Sequence, residues 1–137
     1  IIDFFVESGV SLERERDAAL DEVCGSIDVI LKCSEEYWPN TDDGSPEFKI
    51  LQSKMVAHLQ NIQMVLPSLF EAGTQPLKNS RDESKALQKI TTGGDFGELD
   101  RVADGRRLTA IYQDALTLKR GVKIRRRQLK RKFMTNR

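Results

Sequence analysis

The sequence predicts an all-α protein: a small helical bundle built on an antiparallel helix hairpin, with a long C-terminal helix that carries a basic end. Three observations predict this fold. Apolar residues recur at helical spacing through most of the 137 residues. Clusters of proline, glycine and small polar residues divide the chain into four segments. The last nineteen residues contain ten Lys or Arg and no acidic residue.

The first predicted helix, A, covers about residues 12–36. Ser11 belongs to the residue types that cap helix N-termini, and Pro39 with the polar cluster 40–44 ends the segment. Between them, apolar residues follow helical spacing: Leu20, Val23, Cys24, Ile27, Ile30 and Leu31. The preceding residues, Ile1 to Val6, either pack on the next helix or end a helix that begins upstream. Because the chain does not begin with Met, we expect a piece of a larger protein or a processed product.

The second predicted helix, B, covers about residues 46–66. It begins with a cap, a proline at the first helical position and an acid, in the order Ser45-Pro46-Glu47. Apolar residues then repeat every seven positions: Phe48, Met55, Ile62 and Leu69. Pro67 is expected to kink or stop the helix, since proline removes a backbone donor and clashes with the preceding turn. One more turn fits before Gly73. Residues 37–45 would join A and B as antiparallel neighbours.

The third predicted helix, C, is short and covers about residues 81–91. Ser80 and Glu83 have the spacing of a capping box, and residues 74–78 before them read as a loop. The glycine-rich stretch 91–97 predicts a flexible break after this helix.

The fourth predicted helix, D, covers about residues 99–133 and bends or begins late near Gly105. Its apolar residues take alternating three- and four-residue steps, which is the pattern of a helix-pairing seam. The seam would pair with a helix of the same chain or with a second copy. Its residues are Leu108, Ile111, Ala115, Leu118 and Val122.

Charge divides the chain into two unequal parts. The formal net charge is +1, from 22 basic and 21 acidic residues. Residues 119–137 hold ten of the basic residues, so the remaining 12 basic and 21 acidic residues give −9 for residues 1–118. We therefore expect an acidic helical bundle domain over 1–118 and a free basic helical extension over 119–137. Such asymmetry bears on binding partners rather than on the fold.

The basic extension predicts nuclear import or contact with nucleic-acid phosphates. The predicted residues are Lys119, Arg120, Lys123, Arg125, Arg126, Arg127, Lys130, Arg131 and Lys132. Two structural alternatives stay open: a solvated helix end whose cations complement the helix dipole, and pairing of the extension with the acidic body. Binding to an anionic membrane, through a face that includes Leu129 and Phe133, is less favoured. No apolar run is long enough to span a bilayer.

No residue pattern indicates catalysis, a metal site or a cofactor, so we expect a non-enzymatic protein. His58 is the only histidine and has no metal-ligand pattern around it. Asp95-Phe96-Gly97 matches the kinase magnesium-binding triplet by accident, because the other kinase motifs are missing. Cys24 and Cys33 lie on opposite faces of one helix and about 13.5 Å apart along its axis, too far for a disulfide. Free thiols favour the nucleus or cytoplasm.

Tyr37 and Trp38 form the densest aromatic point of the chain, directly after helix A. We expect them to close the end of a core. The alternative is an anchor in a protein interface, where Trp and Tyr are enriched.

The leading functional hypothesis is an oligomerisation or protein-docking domain of a larger nuclear protein, with a protein partner or a second copy as its ligand. Its basic segment would serve nuclear import or nonspecific nucleic-acid contact. The alternative is a module that binds the phosphate backbone directly and uses the bundle only as a support for the basic helix. Direct base readout is not predicted, since no helix-turn-helix or zinc-ligand spacing occurs.

Overall fold

Four α-helices form an antiparallel bundle in the computed structural model of the chain. In chain order they are α1 (Ile2–Tyr37), α2 (Pro46–Leu69), α3 (Gln75–Thr92) and α4 (Gly105–Thr135). The structure describes the backbone of residues 2–135 and the side chains of residues 11–132. Helix α1 packs mainly on α2 and α4, and α3 packs on the same two helices, so the four form a ring. The predicted all-α bundle with its α1–α2 hairpin is confirmed.

One apolar core runs along the bundle and receives a stripe of side chains from every helix. The contributions of α1 and α2 include Val23, Ile27, Ile30, Met55, Ile62 and Leu66. Helices α3 and α4 add Leu77, Leu87, Ile111, Ala115, Leu118 and Val122. Each of these side chains is at most 2% exposed. Burying a large aliphatic side chain contributes about 1.5–3 kcal/mol, so the stripes supply the main drive for the four helices to associate.

The boundaries of the first two helices differ from the prediction. Ser11 lies inside α1 rather than at its start, because the helix already runs from Ile2. No proline interrupts this length. Pro67 does not stop α2, which continues to Leu69. The prediction had allowed this last turn, and the Phe70 backbone N–H closes it on the Leu66 carbonyl at 3.1 Å.

Helix α3 begins about six residues earlier than predicted. Residues 75–78, placed in a loop by the sequence analysis, form its first turn after the extended Thr74. Pro76 fits this turn because its missing N–H would have no helical partner there. Ser80 therefore lies within the helix, where it is buried and donates to the Pro76 carbonyl at 2.7 Å. The predicted capping box at Ser80 and Glu83 is wrong.

Helix α4 begins at Gly105, the later of the two predicted starts. Residues 99–104 are not helical, because their backbone pairs with the loop that follows α1. The Asp100 N–H donates to the Asp42 carbonyl at 2.8 Å, and the Asp42 N–H donates to the Arg101 carbonyl at 3.3 Å. The Asp104 carboxylate then caps the new helix by accepting from the Arg107 N–H at 3.2 Å.

The predicted boundary between residues 118 and 119 falls inside the unbroken helix α4. The predicted packing of Ile1 to Val6 and the predicted membrane face at Phe133 concern side chains outside the described residues. Within the described part of the chain, no helix has both the length and the apolarity needed to cross a bilayer.

Candidate cationic interface

The two helices at the ends of the chain carry opposite charge and lie side by side. Helix α4 has eleven Lys or Arg and one acidic residue, a net charge of +10. Helix α1 has ten acidic and three basic residues, a net charge of −7. Because α1 and α4 are neighbours in the ring, their charges partly neutralise each other within the molecule.

Arg126 is the centre of this neutralisation. Its side chain is 2% exposed, and its Nη2 makes ion pairs with Glu13 and, at 3.4 Å, with Asp17. Both carboxylates belong to α1. The Nε and Nη1 atoms of Arg126 are buried without a hydrogen-bond partner, so the guanidinium is only partly satisfied. A buried cation is costly unless it is paired, and Glu13 and Asp17 therefore hold this part of α4 on α1.

Three more of the predicted contact residues are also engaged within the molecule. Lys130 pairs with Asp17 at 3.0 Å, and Lys119 pairs with Asp28 at 2.9 Å. Arg125 turns to the other neighbour and forms an ion pair with Glu83 of α3. The expectation of a free basic extension over residues 119–137 is wrong for Lys119, Arg125, Arg126 and Lys130, because α4 stays in the bundle there. Pairing with the acidic body, the alternative that the sequence left open, is what these residues show.

The other predicted contact residues lie on the outward side of α4. Arg120, Lys123, Arg127, Arg131 and Lys132 are all exposed, and we call this group the cationic face. With 3.6 residues per turn, positions 120, 123, 127 and 131 lie within about 80° of one another around the helix, whereas position 132 lies about 140° from position 127. Among the side chains that the structure describes, Arg120, Lys123, Arg127 and Lys132 make no ion pair.

Helix α3, next to α4, adds cations that the sequence analysis did not single out. Lys78, Arg81, Lys85 and Lys89 are exposed. Three of them line a surface cavity of about 390 Å³ beside the start of α3: Lys78, Arg81 and Lys85. In the sequence, the spacing of Lys78, Lys85 and Lys89 indicates a basic side of this helix. The acidic residues Asp82 and Glu83 between them made this pattern hard to recognise.

The predicted helix-pairing seam of α4 faces the interior of its own bundle. Ile111, Ala115, Leu118 and Val122 are each 0% exposed, and Leu108 is partly buried. The seam therefore pairs with helices of the same chain, and its residues offer no surface to a second copy.

Tyr37 and Trp38 lie in the interior, both 0% exposed, at the end of the bundle where α1 stops. Phe96, from the connection between α3 and α4, packs 5.2 Å from the Tyr37 ring centre. The Trp38 indole N–H donates to the Thr91 carbonyl at the end of α3, at 3.2 Å. These contacts close the core and join the ends of α1 and α3, so neither ring is exposed to a partner.

Arg101 completes this closed end, and the sequence analysis missed it. Its guanidinium carbon lies 4.3 Å from the Tyr37 ring centre and 4.6 Å from that of Trp38. The same group donates to the backbone carbonyls of Tyr37 at 2.7 Å and Asn40 at 2.8 Å. Arg101 thereby satisfies carbonyls at the C-terminus of α1, where a cation also complements the helix dipole.

Asp42 is the buried acid of the same region and is 2% exposed. Its carboxylate accepts hydrogen bonds from the Gln52 amide at 2.6 Å, the Tyr37 hydroxyl at 3.2 Å and the Gly44 N–H at 2.9 Å. The Tyr37 hydroxyl in turn accepts from the Gly97 N–H at 2.8 Å. These bonds satisfy both carboxylate oxygens, so Asp42 fixes the loop after α1 rather than offering a free carboxylate.

His58, the only histidine, links α1 and α2. Its Nδ1 lies 3.0 Å from the Ser26 hydroxyl, which also accepts from the Asn61 amide at 3.0 Å. Ser26 is only 3% exposed, and with His58 it forms a contact between α1 and α2. Among the described residues, no group of three or more His, Cys, Asp or Glu side chains is arranged to hold a metal ion.

The two cysteines are free thiols, one half-buried and one buried. Burial raises the pKa of both the Cys24 and the Cys33 thiol, and Lys123 partly opposes this for Cys24. At the α1–α4 contact, the hydrogen bond from the Tyr112 hydroxyl to Glu35 raises the pKa of that tyrosine.

Comparison with known proteins assigns no function to these residues. The chain matches no protein family, no curated protein and no solved structure.

Proposed function

We propose that the protein is a non-enzymatic helical module that binds the phosphate backbone of a nucleic acid through the cationic face of α4. The observation that supports this proposal is the exposed group Arg120, Lys123, Arg127 and Lys132, which has no ion pair among the described side chains. The bundle supports α4 and holds it straight, because its inner side is buried against the other helices.

The remaining cations of α4 explain why the binding would use only part of the basic segment. Lys119, Arg125, Arg126 and Lys130 already have carboxylate partners. Exchanging those partners for phosphate would leave carboxylates of α1 and α3 uncompensated. Arg120, Lys123, Arg127 and Lys132 carry no such cost, and each that meets a phosphate releases a condensed counterion.

The expected recognition is independent of base sequence. Arg120, Lys123 and Arg127 share one outward side of α4 and fit contacts to phosphate, which position a protein without reading bases. Ile124 is the largest exposed apolar side chain beside these cations, at 49% exposure. No aromatic side chain lies among residues 113–132 to stack on single-stranded bases. A duplex of any sequence is therefore a suitable probe.

The test compares two variants of equal net charge. One replaces Arg120, Lys123 and Arg127 by Gln on the cationic face. The control replaces Arg14, Lys49 and Lys54 by Gln, which are exposed cations of α1 and α2. Duplex DNA binding is measured by fluorescence anisotropy across a salt series. We expect the salt slope to fall by about 0.9 for each phosphate contact removed in the first variant, and to stay unchanged in the control.

Equal weakening in both variants would contradict the proposal, because it would reflect net charge alone. Import into the nucleus is the second hypothesis for the same residues. If the first variant keeps its DNA affinity but loses nuclear accumulation in cells, recognition by an import receptor replaces phosphate binding. Substitution of Arg125 and Arg126 would be a poorer test, since both hold α4 on its neighbours.

A further inference from the structure

From Met55 onward, helix α2 presents an uncharged side to the solvent, unlike the helices beside it. Residues 55–70 contain no Asp, Glu, Lys or Arg. Two large apolar side chains of this helix are strongly exposed, Ile50 at 54% and Met64 at 77%. The bundle buries the opposite side of α2, which carries Met55, Leu59, Ile62 and Leu66.

The exposed residues of α2 form a regular seam. Ile50, Ser53, Ala57, Gln60 and Met64 are all exposed, and we call them the α2 seam. They follow steps of three, four, three and four residues, which is the spacing of one side of a pairing helix. Ile50, Ala57 and Met64 recur every seven residues as its apolar positions.

We propose that a second copy of the chain docks on the α2 seam, with the two α2 helices antiparallel and crossing at Ala57. Ile50 and Met64 each lie seven residues from Ala57, about 10.5 Å along the helix axis. A two-fold axis through Ala57 therefore places Ile50 of each copy opposite Met64 of the other copy. This is the self-complementary arrangement that an isologous interface needs, and the small side chain of Ala57 allows the helices to approach closely.

The distribution of charge favours a second copy on this side of the bundle. Contact between two α1 surfaces would bring acidic residues together, and contact between two cationic faces would bring arginines together, so both are disfavoured. The five residues of the α2 seam are uncharged, and the exposed Lys54 beside them would face Gln60 of the other copy rather than a second Lys54. Because α2 lies diagonally across the ring from α4, the dimer leaves both cationic faces exposed. The proposal stands independently of nucleic-acid binding.

The first test measures the mass of the full chain by sedimentation velocity from low to high micromolar concentration. We expect a monomer–dimer equilibrium. Ala57→Glu places two carboxylates at the two-fold axis and should weaken dimerisation at least tenfold, which corresponds to about 1.4 kcal/mol. Ala86→Glu is the matched control, since Ala86 is an exposed alanine of α3, and it should leave the dimer unchanged. Circular dichroism verifies that both variants keep the fold.

The second test uses cysteine cross-linking in a Cys24→Ser, Cys33→Ala background. The double variant Ile50→Cys, Met64→Cys should form disulfide-linked dimers in air with a copper–phenanthroline catalyst. Within one chain these positions are about 21 Å apart, so any disulfide joins two copies. Each single variant should cross-link far more slowly. A monomer at every concentration, a dimer insensitive to Ala57→Glu, or equal cross-linking by a single variant would overturn the proposal.

Discussion

The two ends of the bundle each bury an arginine, but they satisfy it in different ways. Arg101 and Arg126 are both 2% exposed. Arg101 donates to backbone carbonyls and lies against two aromatic rings. Arg126 relies on two carboxylates of α1 and has two buried nitrogen atoms without hydrogen-bond partners, against one, Nε, in Arg101. Neutral backbone carbonyls thus hold the buried arginine at one end of the bundle, and ion pairs hold it at the other end.

The difference indicates separate roles for the two ends. At the closed end, Arg101 cannot leave without exposing the carbonyls that it satisfies at the end of α1, so the contact is structural. At the other end, Glu13 and Asp17 are 21% and 48% exposed. Water can solvate these carboxylates when their arginine is absent, so this contact is weaker and depends on ionic strength.

The largest expected effect comes from Arg101→Met, compared with the same substitution at Arg126. Arg101→Met should lower the free energy of unfolding by about 3 kcal/mol, because it leaves buried carbonyls unsatisfied and removes charged hydrogen bonds. Arg126→Met should change it by less than about 1 kcal/mol, since it removes a buried and only partly paired cation while the partly exposed carboxylates regain water. Urea denaturation measures both values. Equal losses would show that the two ends do not differ in this way.

Much of the fold could be predicted from the sequence because its signals are local. The apolar repeats of α1, α2 and α4 follow the helical period, and each buried stripe coincides with one of them. The start of α3 was missed for a physical reason. Ser80 can cap a helix or bond back to a preceding carbonyl within one, and the sequence did not reveal that Pro76 already begins the first turn.

The interior contacts of the basic segment could not be predicted, because their partners are distant in sequence. The helical period places Arg126 on the side of α4 that carries Val122 and Leu129. Its carboxylate partners could not be predicted, because Glu13 and Arg126 are separated by 113 residues. The role of Arg101 was missed for a similar reason. Its hydrogen-bond acceptors are backbone carbonyls at the end of α1, and every residue type has a backbone carbonyl.

The second effect tests the ion-paired end from its acidic side. Glu13→Gln leaves the buried Arg126 with Asp17 as its only carboxylate partner among the ion pairs described for it. We expect a loss of about 1–2 kcal/mol in the free energy of unfolding, larger than for Arg126→Met, because an undercompensated buried cation costs more than a pair removed together.

Combining Glu13→Gln with Arg126→Met provides the control for this effect. The double variant should recover part of the stability lost by Glu13→Gln alone, since no buried charge then remains unpaired. The recovery should shrink at high salt, where the remaining exposed charges are screened. A strictly additive double variant would show that Glu13 and Arg126 do not interact energetically.

The smallest expected effect is a change in the reactivity of the Cys24 thiol, which reports on the charge of Lys123 in the cationic face. Burial raises the pKa of this thiol, and Lys123 lowers it in part. The thiolate is the reactive form. Lys123→Gln removes a cation that favours the thiolate, so the pKa should rise further and iodoacetamide should react more slowly at pH 8. An exposed charge of this kind supports a change on the order of twofold.

Two features make this last measurement specific to Lys123. Cys33→Ala serves as the background, so that Cys24 is the only thiol, and Lys54→Gln serves as the control because Lys54 acts on Cys33 instead. The slowing should also diminish as the pH rises, since Cys24 then becomes a thiolate in both proteins. If Lys123→Gln leaves the rate unchanged, the Lys123 ammonium is already screened by solvent at this position. Its field would then reach a bound phosphate only through direct contact, which fits a short-range role for the cationic face.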